Sequence, residues 1–72
     1  MNESSINLTG REKDVLKLMI AGYSNPQISE KLLISLSTVK AHVSAIIDKF
    51  GVTNRTEVTR EAFKRGFIDN DE

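Results

Sequence analysis

The side chains best suited to bind a charged ligand lie in the middle of the chain. Residues 37–55 hold three bases, Lys40, Lys49 and Arg55, against one acid, Asp48, which gives this stretch a net charge of +2. The whole chain is neutral, with 10 basic and 10 acidic residues. Because Lys and Arg bind nucleic acids by neutralising phosphates, the local excess indicates a nucleic-acid contact, and the neutral total predicts modest sequence-independent affinity.

Small side chains accompany these charges. Ser37, Ala41 and Ser44 are four and three residues apart, a spacing that places them on one face of a helix. Solvated helix faces usually carry Glu and Lys, whereas short side chains let a helix backbone approach another surface closely. A recognition helix in the major groove of DNA needs this property. The pattern therefore predicts a DNA-reading face.

Catalytic chemistry is not predicted. The chain has no Cys, which excludes a Cys-based zinc site, and it has a single His, His42, so no second His is available to build a catalytic site, although Ser, His and Asp all occur. No Gly-rich phosphate loop occurs. His42 is predicted to be a half-buried, hydrogen-bonded structural residue. We therefore expect a non-enzymatic protein without cofactor or metal.

The element that must position the reading face is a helix over about 36–50. Its apolar positions recur at steps of four, three and four residues, at Val39, Val43, Ile46 and Phe50. Ser35 is a suitable N-cap, and Gly51 stands where a left-handed stop is expected. Asp48 points outward and would repel phosphate, so only the first half of the helix is expected to lie deep in a groove.

A short helix is predicted just before it. Asn25 is its expected N-cap and Pro26 its first helical residue, where a missing N–H costs nothing. It ends at Leu33–Ile34, so that only a few residues separate it from the next helix. Two helices joined in this way are typical of a helix-turn-helix, although the usual Gly of the turn is absent.

Two outer helices complete the predicted fold. Thr9 and Glu12 form a capping box at the start of the first, and Asn54 and Glu57 form one at the start of the last. The last helix carries Val58, Ala62 and Phe63. With no strand pattern anywhere, we predict an all-α, four-helix domain containing a helix-turn-helix.

The length of 72 residues allows one domain. We expect a flexible segment at 1–7, the folded domain at 8–68, with Phe67–Ile68 folding back on the core, and an acidic tail at 69–72. No signal peptide and no run of about 20 apolar residues is present, so a cytoplasmic or nuclear location and no membrane contact are expected. The residues leave open whether the chain is complete or an excised C-terminal domain.

From Leu8 to Gly66 the chain resembles the DNA-binding domain of the LuxR/GerE family of bacterial transcription regulators. The matching strings include Leu8-Thr9, Arg11-Glu12, Ser24-Asn25, Thr38-Val39-Lys40, His42-Val43, Gly51-Val52 and Arg55-Thr56. Pro26-Gln27 and Ser44 depart from the family's usual residues, which affects the expected target sequence rather than the fold.

The resemblance implies roles for individual positions. The helix matching Ser35–Phe50 enters the major groove, and the expected base-edge contacts are Lys40, Ala41 and Ser44. The expected phosphate contacts are Asn25, Thr38, Lys49 and Arg55, to which we add Ser37. In that family the fourth helix commonly forms a twofold dimer, so Val58, Ala62 and Phe63 are the expected dimer interface.

Two functions remain open at this point. One is a sequence-specific DNA-binding regulator that binds double-stranded DNA as a homodimer on a palindromic site. The other is a protein-interaction module that pairs through its fourth helix with a larger related regulator. The small-faced helix favours the first, while the neutral charge and the missing sensor domain leave room for the second.

Overall fold

The computed structural model describes residues 6–67 of the chain. These residues form four helices, α1 (Gly10–Ile20), α2 (Asn25–Leu32), α3 (Leu36–Phe50) and α4 (Arg55–Lys64). They contain no strand, so the all-α, four-helix prediction is confirmed. None of these helices is long and apolar enough to cross a membrane. Residues 1–5, Ile68 and the predicted acidic tail at 69–72 lie outside the described residues.

The core is centred on α3, which packs against each of the other three helices. Its predicted apolar seam is buried along its whole length, at Val39, Val43, Ile46 and Phe50. At the C-terminal end of α3 the rings of Phe50 and Phe67 lie 5.5 Å apart, which confirms that Phe67 folds back. Because one face of α3 is committed to the core in this way, the opposite face is left accessible.

The capping box of α1 is confirmed. The Glu12 N–H donates to Thr9 Oγ1 at 3.1 Å, and the Thr9 N–H donates to Glu12 Oε1 at 3.0 Å. Two of the amides that a helix start leaves unpaired are thereby satisfied.

The predicted cap of α2 is wrong by one residue. Ser24, not Asn25, is the N-cap: its Oγ accepts from the Gln27 N–H at 3.3 Å, and its own N–H donates to Gln27 Oε1 at 2.8 Å. The reason is that Gln27 stands three residues after Ser24 and completes a reciprocal capping box, which a cap at Asn25 would forgo. Asn25 becomes the first helical residue, and its side chain is free for another contact.

One of the two hydrogen bonds of the predicted α4 capping box is confirmed. Asn54 Oδ1 accepts from the Glu57 N–H at 3.0 Å. The hydrogen bonds of the Glu57 carboxylate are made instead to Thr53. The carboxylate accepts from the N–H and the hydroxyl of Thr53, at 2.8 and 2.9 Å, because Thr53 offers two donors.

The turn between α2 and α3 is closed without glycine. Leu33 adopts the left-handed conformation, with φ 58° and ψ 44°, and its side chain is 88% exposed. The Ser29 hydroxyl donates to the carbonyl of Ile34 at 2.6 Å and fastens the turn. For a residue with a Cβ this conformation costs about 1–2 kcal/mol, so the geometry of the turn lowers the stability of the fold.

Candidate nucleic-acid interface

The accessible face of α3 carries four residues in a row, Ser37, Ala41, Ser44 and Asp48, which we call the outer stripe. All four are exposed. They follow one another at steps of four, three and four residues, the same steps as the buried seam but on the opposite side of the helix. The first three have short side chains, so the backbone of α3 can approach a partner closely over its first half.

The three predicted base-contact residues lie on or beside this stripe. Lys40, Ala41 and Ser44 are all exposed and lie within the first nine residues of α3, so the structure brings them together on one accessible surface. Their contact with base edges stays a prediction.

Hydroxyl groups surround the N-terminus of α3. Ser35 Oγ caps the helix by accepting from the Thr38 N–H at 3.1 Å, and it donates to Thr38 Oγ1 at 2.8 Å. Ser37 Oγ lies 3.3 Å from Ser35 Oγ. Because the N-terminal end of a helix carries a partial positive charge, these exposed hydroxyls suit an anionic oxygen. This placement is compatible with the predicted phosphate contacts Ser37 and Thr38.

Asn25 and Arg55, two further predicted phosphate contacts, touch each other. The Arg55 guanidinium donates through Nη1 to Asn25 Oδ1 and through Nη2 to the Tyr23 carbonyl, the latter at 2.7 Å. Arg55 is the first residue of α4 and Asn25 the first of α2, so this contact joins the two helix starts. A direct hydrogen bond therefore holds the two side chains beside each other.

An open depression of about 580 Å³ lies beside this pair. Its lining includes Tyr23, Pro26 and Leu36 together with the two cations Lys40 and Arg55. Arg55 therefore lies on the same flank of α3 as Lys40.

Lys49 lies on the opposite flank. It follows Lys40 by nine residues, which at about 100° per residue turns its side chain through roughly half a circle around α3. Its Nζ donates to Glu12 Oε1 at 2.7 Å and to the Asn7 carbonyl at 3.0 Å. The hydrogen bond from Lys49, followed by that from the Thr9 N–H, holds the pKa of the buried Glu12 carboxyl below its ordinary value. The spacing of residues along the sequence does not predict this contact, because Lys49 and Glu12 are 37 positions apart.

The described residues contain no group of three or more His, Asp and Glu side chains placed to hold a metal ion. The predicted half-burial of His42 is confirmed. Its hydrogen bond stays a prediction.

The expected dimer contacts need a correction. Val58 and Ala62 are both 0% exposed, so a second chain could not touch their side chains, whereas Phe63 is 56% exposed. The physical reason is that α4 uses its one apolar stripe to attach itself to the core. Its accessible face carries Thr56, Arg60 and Phe63, spaced four and three residues apart and all exposed.

Comparison with known proteins gives consistent similarities. The family model described as bacterial regulatory proteins, luxR family, matches residues 6–62. The transcriptional regulatory protein DegU of Brevibacillus brevis is 51% identical over 61 residues, which are 85% of this chain and 26% of DegU. The chain thus spans about a quarter of the length of this curated relative.

Two solved structures are similar in fold and sequence. The structure of the transcription factor GerE matches with a TM-score of 0.81 and 39% identity, covering 93% of this chain and 98% of that one. The Vibrio cholerae VqmA dimer, described as a LuxR-type receptor without its target DNA, matches with a TM-score of 0.85 and 30% identity, covering 93% of this chain and 30% of VqmA.

Proposed function

The chain belongs to the luxR family of bacterial regulatory proteins, which are helix-turn-helix DNA-binding transcription regulators, and we propose that its helix α3 enters the major groove and reads a specific sequence. The reading residues are Lys40, Ala41 and Ser44. The long side chain of Lys40 suits guanine, and the methyl group of Ala41 suits the thymine methyl.

The outer stripe is the observation that carries this proposal. The major groove is about 12 Å wide, and a helix with its side chains is about 10–12 Å across. A helix therefore reaches base edges best when its leading face is small, as at Ser37, Ala41 and Ser44. Burial of the opposite face in the core holds that surface rigidly, so contacts along it are made in a fixed register.

The two flanks of α3 would meet the two phosphate strands that border the groove. The Asn25–Arg55 pair serves one strand together with Lys40 nearby. Lys49 contacts the other phosphate strand, and its ammonium then binds a phosphate and Glu12 at the same time. Ser37 and Thr38 contact phosphate from the helix N-terminus. Contacts of this kind set orientation and register, while the base contacts set the sequence.

Twofold dimerisation completes the proposal. One small domain reads too few base pairs for useful specificity, whereas two copies read a palindrome with half-sites about 10 base pairs apart. The similar VqmA structure is described as a dimer, which supports pairing. In this chain the exposed face of α4, which carries Phe63, is available, because α3 must stay free for the groove.

A binding selection on random duplex DNA tests the function. The purified chain is expected to enrich a palindromic sequence. Lys40→Ala, which changes an exposed residue, is expected to enrich a different or weaker sequence while keeping the helical circular dichroism of the parent. If the folded parent chain enriches no sequence, the proposal is wrong.

The exposed Phe63 also favours a second function, in which the chain pairs through α4 with a larger regulator of the same family. The selection separates the two functions. A chain that enriches no DNA sequence, yet co-elutes with such a regulator and loses it on Phe63→Glu, would be an interaction module.

A further inference from the structure

Asp48 is the one residue of the outer stripe whose charge opposes DNA. It is exposed, and it is the only acidic residue between positions 37 and 55. It follows Ser44 by four residues, which places it about 6 Å further along the same face. A partner that covers the stripe therefore also meets this carboxylate.

Neighbouring residues do not neutralise Asp48. The positions three and four residues away on either side hold Ser44, Ala45, Gly51 and Val52, none of which is basic. The adjacent Lys49 turns to another face and binds Glu12. Among the ion pairs of residues 6–67, Asp48 takes part in none.

Helix stability does not account for the acid either. Asp48 stands two residues before the end of α3 at Phe50. The C-terminal end of a helix carries a partial negative charge, so an acid in the last turn is unfavourable. The carboxylate is therefore unfavourable both for the stability of α3 and for the binding of α3 to phosphates.

We propose that Asp48 limits the sequence-independent attraction of this surface for DNA, so that stable binding depends on base contacts. This inference rests on the proposed function. Sequence-independent binding comes almost entirely from neutralised phosphates, and each local negative charge subtracts from it. Contacts of Lys40, Ala41 and Ser44 with base edges do not involve Asp48, and they supply the affinity that random DNA cannot. Repulsion of a wrong ligand is a common route to specificity.

The test measures affinity for a 30-base-pair duplex of random sequence over a range of salt concentrations. Asp48→Asn is expected to bind this duplex about three- to tenfold more tightly, and the slope of log affinity against log salt is expected to steepen by roughly one. Asp48→Lys is expected to move both quantities further in the same direction. Asp14→Asn, at an exposed acid on α1 that pairs with Arg11 at 3.7 Å, is the control for a change of charge away from α3 and is expected to match the parent.

Three outcomes decide the inference. A graded gain in the order parent, Asn, Lys supports it. Unchanged binding of random DNA by both variants overturns it, because Asp48 then lies away from the phosphates. If Asp48→Asn instead loses affinity for the sequence that the parent enriches, Asp48 reads a base amino group, and the inference is also wrong. A parent chain that binds no duplex at all contradicts the proposed function itself, which the other outcomes leave standing.

Discussion

The Glu12 carboxylate and the Lys49 ammonium form a hydrogen-bonded ion pair at 2.7 Å, which joins the first turn of α1 to the last turn of α3. The Glu12 side chain is 8% exposed and that of Lys49 36%, so the carboxylate is the buried partner. The same oxygen also accepts the Thr9 N–H in the capping box of α1. One carboxylate thus caps α1 and anchors α3 against it.

This pair makes stability depend on pH. Because the folded state lowers the pKa of Glu12, the carboxylate stabilises the fold above its unfolded-state pKa of about 4.3, and this stabilisation is lost as the pH falls through the folded-state pKa. The pKa of Glu57 is lowered too, first by the hydrogen bond from the Thr53 N–H. Urea unfolding between pH 7 and pH 3 is therefore expected to show falling stability below about pH 4.3.

Substitution separates the two carboxylates. Glu12→Gln is expected to reduce the loss of stability at low pH and to lower the free energy of unfolding at pH 7 by about 1–2 kcal/mol, since Gln keeps an acceptor for the Thr9 N–H but loses the ion pair with Lys49. Glu57→Gln is expected to reduce the loss of stability at low pH by part of its full amount. Asp14→Asn is the control. If Glu12→Gln loses as much stability at low pH as the parent does, the ion pair does not cause the pH dependence and this prediction is wrong.

Lys40 is expected to read a base edge. Lys40→Ala should weaken binding to the selected site by about 1–3 kcal/mol, which is the usual discrimination of one good base contact. Binding to random DNA should change much less. Paired titrations of both duplexes at one salt concentration measure the difference. Equal losses on the two duplexes would identify Lys40 as a phosphate contact instead.

Leu33 offers a stabilising substitution. Its positive φ of 58° disfavours any residue with a Cβ, and its exposed side chain contributes little packing. Leu33→Gly is expected to raise the free energy of unfolding by about 0.5–1 kcal/mol, because relief of the left-handed conformation exceeds the added entropy of the unfolded chain. Leu33→Ala keeps the Cβ and should give no such gain. A Gly variant no more stable than the Ala variant in urea would contradict this explanation.

Phe63 is expected to hold two copies together on DNA. Because its side chain is 56% exposed, Phe63→Glu should leave the melting temperature near that of the parent while abolishing two-chain occupancy of the palindrome. Band-shift titration of full and half sites measures this. Thr56→Glu, on the same face but without an apolar side chain, tests whether the aromatic ring or the whole face matters. Unchanged pairing by Phe63→Glu would exclude α4 as the dimer surface.

Much of the helical framework could be predicted from the sequence because its signals are local. The capping box of Thr9 and Glu12 and the stop at Gly51 each depend on residues within one turn of each other. The buried seam of α3 repeats at helical spacing and was predicted residue by residue. Even the mistaken cap of α2 had a local signal, since Gln27 stands three residues after Ser24.

Tertiary structure decided which of the predicted site residues are available. Arg55 meets Asn25 across 30 positions, and Lys49 meets Glu12 across 37, distances over which helical periodicity carries no information. The predicted dimer residue Ala62 is buried, whereas its neighbour Phe63 is exposed. An apolar residue on a helix can face either its own core or a partner, and only the packing of α4 against α3 distinguishes the two.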